Sequence, residues 1–349
     1  MRAGVVDRYG PPSVVRVDTV PDPVAGRGEA LVRVMAATVN SGDARIRGAR
    51  FPRGFALPGR LALGVNGPRA RVLGVVFAGV VETIGGDATG GAPHAGGIAS
   101  AASGFAVGDR VCGMTGARMG AHAELVAVPA SRLARIPDGV SFDDAAGVLF
   151  GGATALHYLR DKAAVRPGEH VLVVGASGAV GTNAVQLAKH FGARVTAVTS
   201  APNAELVTAL GADRVVDYRA TPLESLESRG ERFDVVFDTV GVLSPATGRP
   251  LLAEGGRLLL AVASLGEMIT AHGPVKTGTS PERPEDFSTL LDLVEADALR
   301  VVIDETMPLD RLAEAHARVD SGRKVGNLVL HPQEAAGAGA AAGSAEAAA

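Results

Sequence analysis

Three small residues at fixed spacing give the first indication of chemistry in this chain. Ala176, Gly178 and Gly181 follow the pattern G-x-G-x-x-G, with alanine in the first position. In such a turn the second small residue lets the backbone approach a phosphate, and the third lets the following helix pack against its strand. The pattern is typical of a turn that binds the pyrophosphate of a dinucleotide, which then faces backbone N–H groups and the positive end of a helix.

A strand and a helix are predicted on either side of this turn. The run Val171–Val174 is apolar and predicts a buried strand, and Thr182–Phe191 has the spacing of an amphipathic helix. A glycine pattern alone is weak, but a strand before it and a helix after it are the context that a dinucleotide-binding turn requires. The cofactor-binding residues predicted in the turn are Gly175, Ala176, Ser177, Gly178, Ala179, Val180 and Gly181.

The end of the next predicted strand indicates which nicotinamide cofactor is used. NAD enzymes place Asp or Glu there, about 20 residues after the glycine motif, to bond the ribose 2′-hydroxyl. This chain has Thr199, Ser200 and Asn203 at that place, with no carboxylate among them. Hydroxyls and an amide donate to a 2′-phosphate, which an acid would repel, so NADPH is favoured, with Arg194 or Arg219 as the candidate cation. Alternatively the two hydroxyl residues only end a strand, which is compatible with either cofactor.

Composition and charge exclude several classes of partner. The chain has 349 residues, 47% of them hydrophobic and 20% charged, which is enough for two domains with separate cores. A net charge of −3 offers no basic surface for nucleic acid or an anionic membrane, and no segment has the ~20 apolar residues of a membrane span. Cys112 is the only cysteine, so no disulfide can form within one chain. We expect a cytoplasmic enzyme that acts on a small molecule.

The first part of the chain has the patterns of a β-rich domain. Val14–Val20, Glu29–Thr38 and Val75–Ile84 are strand-like runs separated by proline and glycine. Gly85–Gly104 is rich in Gly, Ala and Ser and predicts an exposed loop. Glu334–Ala349 is nearly all Ala and Gly, which predicts a disordered tail.

From Ser141 onward, predicted strands alternate with predicted helices, which indicates parallel βαβ units in a doubly wound sheet. Helices are predicted over Asp143–Arg160, Thr182–Phe191, Ala204–Leu210 and Pro284–Leu299. Strands are predicted over Val171–Val174, Arg194–Thr199, Arg214–Val216, Phe233–Phe237 and Arg257–Val262. Val301–Val302 and Leu328–Leu330 are predicted as strands that return to the first domain.

Several short motifs keep a fixed order along residues 1–332. They include Val39–Asp43, Gly108–Val111, Gly151–Leu159, Pro167–Gly181 and Phe233–Gly241. Together they resemble the medium-chain dehydrogenase/reductase superfamily. The resemblance implies an α/β fold with a GroES-like β-rich catalytic domain and a doubly wound parallel Rossmann sheet. The implied domains are 1–135, completed by 285–333, for the GroES-like part, 136–284 for the Rossmann NADPH-binding part, and 334–349 for the tail.

The resemblance also implies that the catalytic zinc of related alcohol dehydrogenases is lost. Asn40 stands where those enzymes have a ligand cysteine, and Val75 and Val76 stand where they have histidine and glutamate. Valine cannot bind zinc, and tetrahedral zinc needs three or four N, S or O ligands. What remains is similar to the quinone oxidoreductase branch, which includes quinone, enoyl and alkenal/enone reductases. Relatives there often keep an acid at the position of Val76, so no role of that acid is carried over.

Without zinc, a conjugated acceptor is the expected substrate. Hydride from NADPH attacks the β-carbon of a quinone or α,β-unsaturated carbonyl, and hydrogen-bond donors stabilise the charge that reaches the carbonyl oxygen. Asn40 is expected to face the nicotinamide pocket, or alternatively to be a turn residue that bonds its own backbone. Thr154, by resemblance, lies near the nicotinamide at a helix start, or is only a helix-entry residue. Asp43 is the third candidate catalytic residue, although a structural salt bridge with Arg47 is the alternative.

Further residues complete the predicted site. By resemblance Tyr218 lines the adenosine-phosphate pocket, and Val240 and Gly241 belong to the cofactor site. His122 is either an acid near the cleft or a histidine on a strand surface. Similar reductases commonly dimerise through Rossmann edge strands, here Arg257–Val262, so a homodimer is expected.

Two other functions remain open at this point. One is a metal-free carbonyl or alcohol oxidoreductase, or a tailoring reductase of secondary metabolism, which would use the same hydride chemistry. The other is a non-catalytic NADPH-binding sensor, which an intact nucleotide turn with a poor catalytic set would fit. The pair Val75 and Val76 gives that second idea some weight.

Overall fold

The structure, a computed structural model, describes residues 1–86 and 104–334. Most of the loop predicted over Gly85–Gly104, and all but the first residue of the tail predicted over Glu334–Ala349, lie outside the described residues. The strands are β1 Arg2–Val5, β2 Arg16–Thr19, β3 Glu29–Thr38, β4 Val76–Ile84, β5 Arg110–Met114, β6 Leu125–Pro129, β7 Leu133–Arg135, β8 His170–Val174, β9 Arg194–Thr199, β10 Arg214–Asp217, β11 Phe233–Asp238, β12 Leu252–Leu260, β13 Val275–Thr277, β14 Ile303–Pro308 and β15 Asn327–His331. The α-helices are α1 Ser41–Arg47, α2 Ala56–Leu63, α3 Phe142–Leu156, α4 Ala179–His190, α5 Ala204–Ala209, α6 Glu224–Ser228, α7 Pro245–Gly248, α8 Leu265–Thr270, α9 Pro284–Glu295 and α10 Leu312–Asp320.

A six-stranded parallel sheet forms one half of the described fold. Its strands lie in the order β10-β9-β8-β11-β12-β13. Counted from β8, this is the order 3-2-1-4-5-6 that is typical of Rossmann folds. Val171 and Val173 pack into one core cluster and Leu172 and Val174 into another, so both faces of β8 are buried. The predicted doubly wound parallel sheet is therefore confirmed.

A seven-stranded, mostly antiparallel sheet forms the other half. Its order is β14-β15-β3-β4-β5-β7, with β6 also paired to β3. The prediction that Leu328–Leu330 returns to the first part of the chain is confirmed, because β15 pairs antiparallel with β3. The strand predicted at Val301–Val302 is wrong, since β14 begins at Ile303. That apolar pair instead packs against the core cluster around α3. The predicted domain boundaries remain predictions.

Helix α3 lies between the two sheets and connects them. Ser141 caps its first turn by accepting from the backbone N–H of Asp144 at 3.0 Å. The helix is rich in small residues, which lets its neighbours come close. A Cβ at Gly151 would lie only 2.1 Å from the carbonyl oxygen of Ala179, so glycine brings α3 against the first turn of α4. This close approach places the last turn of α3 beside the dinucleotide turn.

The end of α3 differs from the sequence prediction. The α-helix ends at Leu156 and continues as a π-helix over His157–Lys162, rather than as regular helix to Arg160. Within it Tyr158 is buried, and its single hydroxyl proton is shared between the carbonyls of Leu260 at 3.1 Å and Gly278 at 2.5 Å. These bonds tie the helix to the end of β12 and to the segment after β13.

The position of strand β13 excludes the predicted dimer interface. It pairs with the outer side of β12, so the strand predicted over Arg257–Val262 lies inside the sheet and not at its edge. Pairing between two copies through that strand is therefore wrong, and the homodimer itself remains a prediction. No helix in residues 1–86 and 104–334 has the length and apolar character to cross a membrane.

Candidate active site

The turn between β8 and α4 has the geometry that a phosphate requires. Gly175 has a φ of +82°, a conformation that favours glycine. A Cβ at Gly181 would lie 2.1 Å from the carbonyl oxygen of Gly175 and 2.7 Å from the Cα of Ala176, so only glycine lets α4 pack here. A Cβ at Gly178 would meet Gly175 at an ordinary 3.5 Å. The space beside Gly178 is thus open on the protein side.

A cluster of polar side chains joins this turn to the end of β9. The hydroxyl of Thr199 donates to Ser177 Oγ at 2.9 Å, and Asn203 Nδ2 donates to the same oxygen at 3.0 Å. Asn203 Nδ2 also lies 3.4 Å from Ser200 Oγ. The structure therefore brings together four residues that the sequence analysis assigned to the cofactor.

Tyr218 and Arg219 lie beside this cluster, after β10. The backbone N–H of Tyr218 donates to the carbonyl of Thr199 at 3.2 Å, and the guanidinium of Arg219 lies 5.7 Å from the centre of the Tyr218 ring. Arg194 instead begins β9, at the opposite end from Thr199, and contacts His170 Nδ1 at 2.8 Å. Arg194 is therefore wrong as a candidate for the 2′-phosphate, and Arg219 is the arginine near the cluster.

Asp238, at the end of β11, holds the loop that contains Val240 and Gly241. Its carboxylate accepts from the backbone N–H groups of both residues at 2.9 Å and from that of Leu243 at 2.6 Å. The Val240 side chain reaches Gly175, where an added Cβ would lie 2.5 Å from Val240 Cγ1. The loop therefore stands directly beside the glycine turn.

A cleft of about 300 Å³ adjoins the glycine turn. Residues from distant parts of the chain line it, among them Ser41 and Arg45 of α1, Thr154 of α3, Val180 of α4 and Glu282. Since Val180 belongs to the first turn of α4, the cleft and the glycine turn share one wall. This cleft is the place where an acceptor can meet the reactive end of a dinucleotide.

Thr154 lines the cleft, but it does not lie at a helix start. It belongs to the last turn of α3, so both versions of that prediction, a helix start and a helix entry, are wrong. Its hydroxyl donates to the carbonyl of Phe150 at 2.8 Å, a bond that serine and threonine commonly make inside helices. Because the single hydroxyl proton is used there, Thr154 offers its lone pairs to a ligand, as an acceptor.

Asn40 caps α1 with its side chain. Its Oδ1 accepts from the backbone N–H groups of Gly42 at 2.8 Å and Asp43 at 3.2 Å, while Asp43 Oδ2 accepts from the backbone N–H of Asn40 at 2.9 Å. This reciprocal capping box matches the alternative of a residue that bonds its own backbone. Asn40 Nδ2 is buried and has no hydrogen-bond partner among the residues described. Ser41, the next residue, lines the cleft.

Asp43 and His122 belong to a buried polar cluster behind the cap. Both side chains are fully buried, with His122 Nε2 3.8 Å from Asp43 Oδ2 and 3.0 Å from the carbonyl oxygen of Thr38. The ring of His316 packs edge-on against His122, with centroids 5.8 Å apart. Burial raises the pKa of the Asp43 carboxyl. Burial, with the charges of His122 and Arg47 as smaller causes, lowers the pKa of His316 to about 2.

Two predictions about this cluster are wrong. The salt bridge between Asp43 and Arg47, the alternative to a catalytic Asp43, is absent from the described structure, because Arg47 pairs with Asp320 of α10 at 2.5 Å and also donates to the carbonyl of Gly10. His122 does not lie on a strand surface, since its side chain is fully buried. Neither Asp43 nor His122 lines the cleft.

Three charged residues near the site are not among those predicted from the sequence. Glu282 lines the cleft and accepts from Arg132 at 3.0 Å; burial raises its pKa and Arg132 opposes that shift. Lys324 donates to the carbonyl of Gly326, and burial lowers the pKa of its amine to about 8. The N–H of Gly326 in turn donates to the carbonyl of Ser177 at 2.8 Å, so Lys324 lies near the glycine turn. Arg45 is the third.

Of these three residues, only Arg45 could have been predicted from the sequence. It stands four residues after Ser41, which places both residues on one face of a helix that Asn40 caps. Glu282 and Lys324 lie near the site because of the order in which strands pair in the two sheets. No local pattern of the sequence indicates that order.

Comparisons with known proteins agree with this architecture. Residues 26–138 match the family described as alcohol dehydrogenase GroES-like domain, and residues 210–330 match the family described as zinc-binding dehydrogenase. The chain is 29% identical to a 2-methylene-furan-3-one reductase of Solanum lycopersicum over 95% of its own length and 79% of that protein.

Solved structures are similar over almost the whole chain. The quinone oxidoreductase of Coxiella burnetii superposes with a TM-score of 0.82 at 28% identity, covering 95% of this chain and 99% of that one. A mycobacterial protein solved in complex with NADPH has a TM-score of 0.75 at 30% identity, covering 95% of this chain and 100% of that one.

The fold and the site together define an oxidoreductase with a GroES-like domain and a Rossmann sheet. The chain belongs to the medium-chain dehydrogenase/reductase superfamily, in its quinone oxidoreductase-like branch.

Proposed function

We propose that this chain is an NADPH-dependent reductase of quinones or α,β-unsaturated carbonyls that works without a catalytic metal. The observation that carries the proposal is that the glycine turn and the acceptor cleft share one wall, at Val180. The relatives support it, because they are named as a 2-methylene-furan-3-one reductase, a quinone oxidoreductase and a protein solved with NADPH.

The residues around the glycine turn fit NADPH. Gly178 leaves room for a pyrophosphate at the N-terminus of α4, and Lys324 places an amine near the same turn. Ser177, Thr199 and Asn203 form a polar cluster where a 2′-phosphate is expected, with Arg219 nearby. When bound, NADPH supplies a hydride for the β-carbon of the acceptor.

The side chains present do not fit the zinc of related alcohol dehydrogenases. Asn40 Oδ1 is occupied by the helix cap, and Val75 and Val76 offer no ligand atoms. In the two described ranges, no group of three or more His, Cys, Asp and Glu side chains has the arrangement of a metal site. Tetrahedral zinc needs three or four such ligands, so we derive no step through a metal.

The residues that line the cleft then position the acceptor and supply the proton that completes its reduction. We assign Asn40 and Asp43 to positioning, because their capping box fixes the start of α1 and thereby Ser41 at the cleft. Thr154 accepts a hydrogen bond from a polar group of the acceptor or the cofactor amide. Glu282 is a titratable group in the wall whose burial favours the protonated form, so it is a proton source for the reduced acceptor.

Oxidation of NADPH with a panel of acceptors tests this proposal. We expect turnover with quinones and enones, at most slow turnover with saturated ketones, and a lower kcat/KM with NADH than with NADPH. Tight NADPH binding without turnover on any acceptor would contradict the reductase and favour an NADPH-binding sensor. Faster turnover with saturated ketones than with their enone counterparts would favour a carbonyl oxidoreductase.

A further inference from the structure

We propose that the cleft binds an acceptor with an anionic group, most simply a carboxylate, and that Arg45 binds that group. The inference deepens the proposed function and rests on it, because it concerns the same cleft. It names a class of substrate that the relatives' names do not contain.

Arg45 is a cation in the cleft wall, and no acidic residue of the described ranges pairs with it. It lies on α1 and shares the wall with Met114, Phe150 and Thr154. Its guanidinium makes no hydrogen bond and no ion pair in the part of the chain that the structure describes, and the charge that acts on it most is another cation, Arg50.

The neighbouring charged groups leave this charge uncompensated. Glu282 is the acidic residue in the cleft wall; burial favours its protonated form, and the cation that it contacts is Arg132 at 3.0 Å. Asp320 is shared between two other arginines near α1, Arg47 and Arg50. Neither of these acidic residues is therefore paired with Arg45.

Desolvation makes this arrangement costly without a ligand. Burial is the largest cause that lowers the pKa of Arg45, with repulsion from Arg50 as the second. A partly buried charge without a partner is unfavourable, and an incoming anion removes that cost. The planar guanidinium can donate two parallel hydrogen bonds to a carboxylate, which gives orientation as well as affinity.

The cofactor's phosphates are the other source of such an anion. They are expected at the glycine turn, where Gly178 and the first turn of α4 offer backbone N–H groups. Arg45 instead shares the cleft with Phe150 and Met114, whose side chains suit the carbon skeleton of an acceptor. The experiment therefore separates affinity for the acceptor from affinity for NADPH.

A matched pair of acceptors tests the inference. With trans-4-oxo-2-pentenoate and its methyl ester, we expect the wild type to prefer the carboxylate in kcat/KM. Arg45→Met should lower that value for the carboxylate by about tenfold or more and for the ester by less than about threefold.

Two control variants separate charge from folding. Arg45→Lys should keep part of the preference, which shows that the charge and not a folding defect is responsible. Arg50→Met removes a nearby exposed cation outside the cleft and should leave the preference unchanged.

Calorimetry supplies a readout that needs no turnover. The enzyme saturated with NADP⁺ should bind 4-oxopentanoate more tightly than its methyl ester, and Arg45→Met should abolish the difference. Equal kcat/KM and equal binding of acid and ester by the wild type would overturn the inference, even where NADPH oxidation proceeds. It would also be overturned if Arg45→Met raised the Kd for NADPH and lowered both acceptors equally, because the charge would then serve the cofactor. Failure of all acceptors to oxidise NADPH contradicts the proposed function, whereas the binding comparison still tests Arg45.

Discussion

The two sides of the site are built in different ways. On the cofactor side, backbone geometry dominates: Gly175, Gly178 and Gly181 lie within seven consecutive residues, and the atoms that a Cβ at Gly181 would meet are main-chain atoms of Gly175 and Ala176. On the acceptor side, side chains from α1, α3 and the segment after β13 meet across a cleft. The residues that line the cleft come from segments that lie far apart in the sequence.

The two sides therefore differ in the substitutions that they tolerate. A backbone turn admits few substitutions, and any nucleotide with a pyrophosphate meets the same N–H groups. A cleft lined by side chains can change its acceptor with single substitutions such as that of Arg45, while the fold stays intact. We therefore expect mutations of the turn to affect stability or NADPH affinity, and mutations of the cleft to affect the choice of acceptor.

The largest expected effect is on the cofactor side, at Gly181. Gly181→Ala places a Cβ 2.1 Å from the carbonyl oxygen of Gly175, a main-chain atom that cannot move without displacing the turn. We expect a loss of about 3 kcal/mol in the free energy of unfolding, measured by chemical denaturation.

Gly178→Ala is the matched control for that variant. Its Cβ meets the protein at an ordinary 3.5 Å, so stability should change by less than about 0.5 kcal/mol. Affinity for NADPH should nevertheless fall by about tenfold or more, because the new methyl occupies the space expected for a phosphate. Equal loss of stability in both variants would show that the turn is purely structural.

The second prediction concerns the buried cluster behind the acceptor side. His316 has a folded pKa of about 2, below that of an unfolded histidine near 6.5, so it stays neutral in the folded chain. As the pH falls below the unfolded pKa, the unfolded chain binds a proton that the folded chain does not, and stability decreases. His316→Leu should remove about 1 kcal/mol of the decrease between about pH 6 and pH 5.

Chemical denaturation at the two pH values measures this effect. His190→Leu, which removes an exposed histidine at the end of α4, is the matched control and should leave the decrease unchanged. An unchanged pH dependence in His316→Leu would contradict the burial of a neutral ring.

The same contrast explains which parts of the fold and site can be predicted from the sequence. The sequence predicts strand β8, the glycine turn and the polar residues at the end of β9, because these are neighbours in sequence or follow a known spacing. The burial of His122 is not evident from the sequence, because the His316 ring that packs against it comes from α10. The ion pair of Arg47 with Asp320 is not evident from the sequence for the same reason, since Asp320 lies on that helix. Contacts between distant segments leave no local pattern.

The last variant changes the helix cap of α1. Asn40→Ala removes both bonds that its Oδ1 accepts and should cost about 1 kcal/mol. Because the cap also fixes Ser41 at the cleft, kcat should fall by about tenfold or more. Ser244→Ala removes a comparable capping box at α7 and should cost a similar amount of stability without changing kcat. A parallel loss of kcat in both variants would mean that Asn40 acts only through stability.

The most direct test of the central claim is the product formed by metal-free protein. After exhaustive chelation, the enzyme should reduce trans-4-oxo-2-pentenoate with NADPH at an unchanged kcat/KM. NMR of the product should show a saturated carbon–carbon bond and an intact ketone, because hydride is delivered to the β-carbon of a conjugated acceptor. Loss of activity that returns with Zn²⁺, or a product in which the ketone has become an alcohol, would contradict metal-free reduction of a conjugated acceptor.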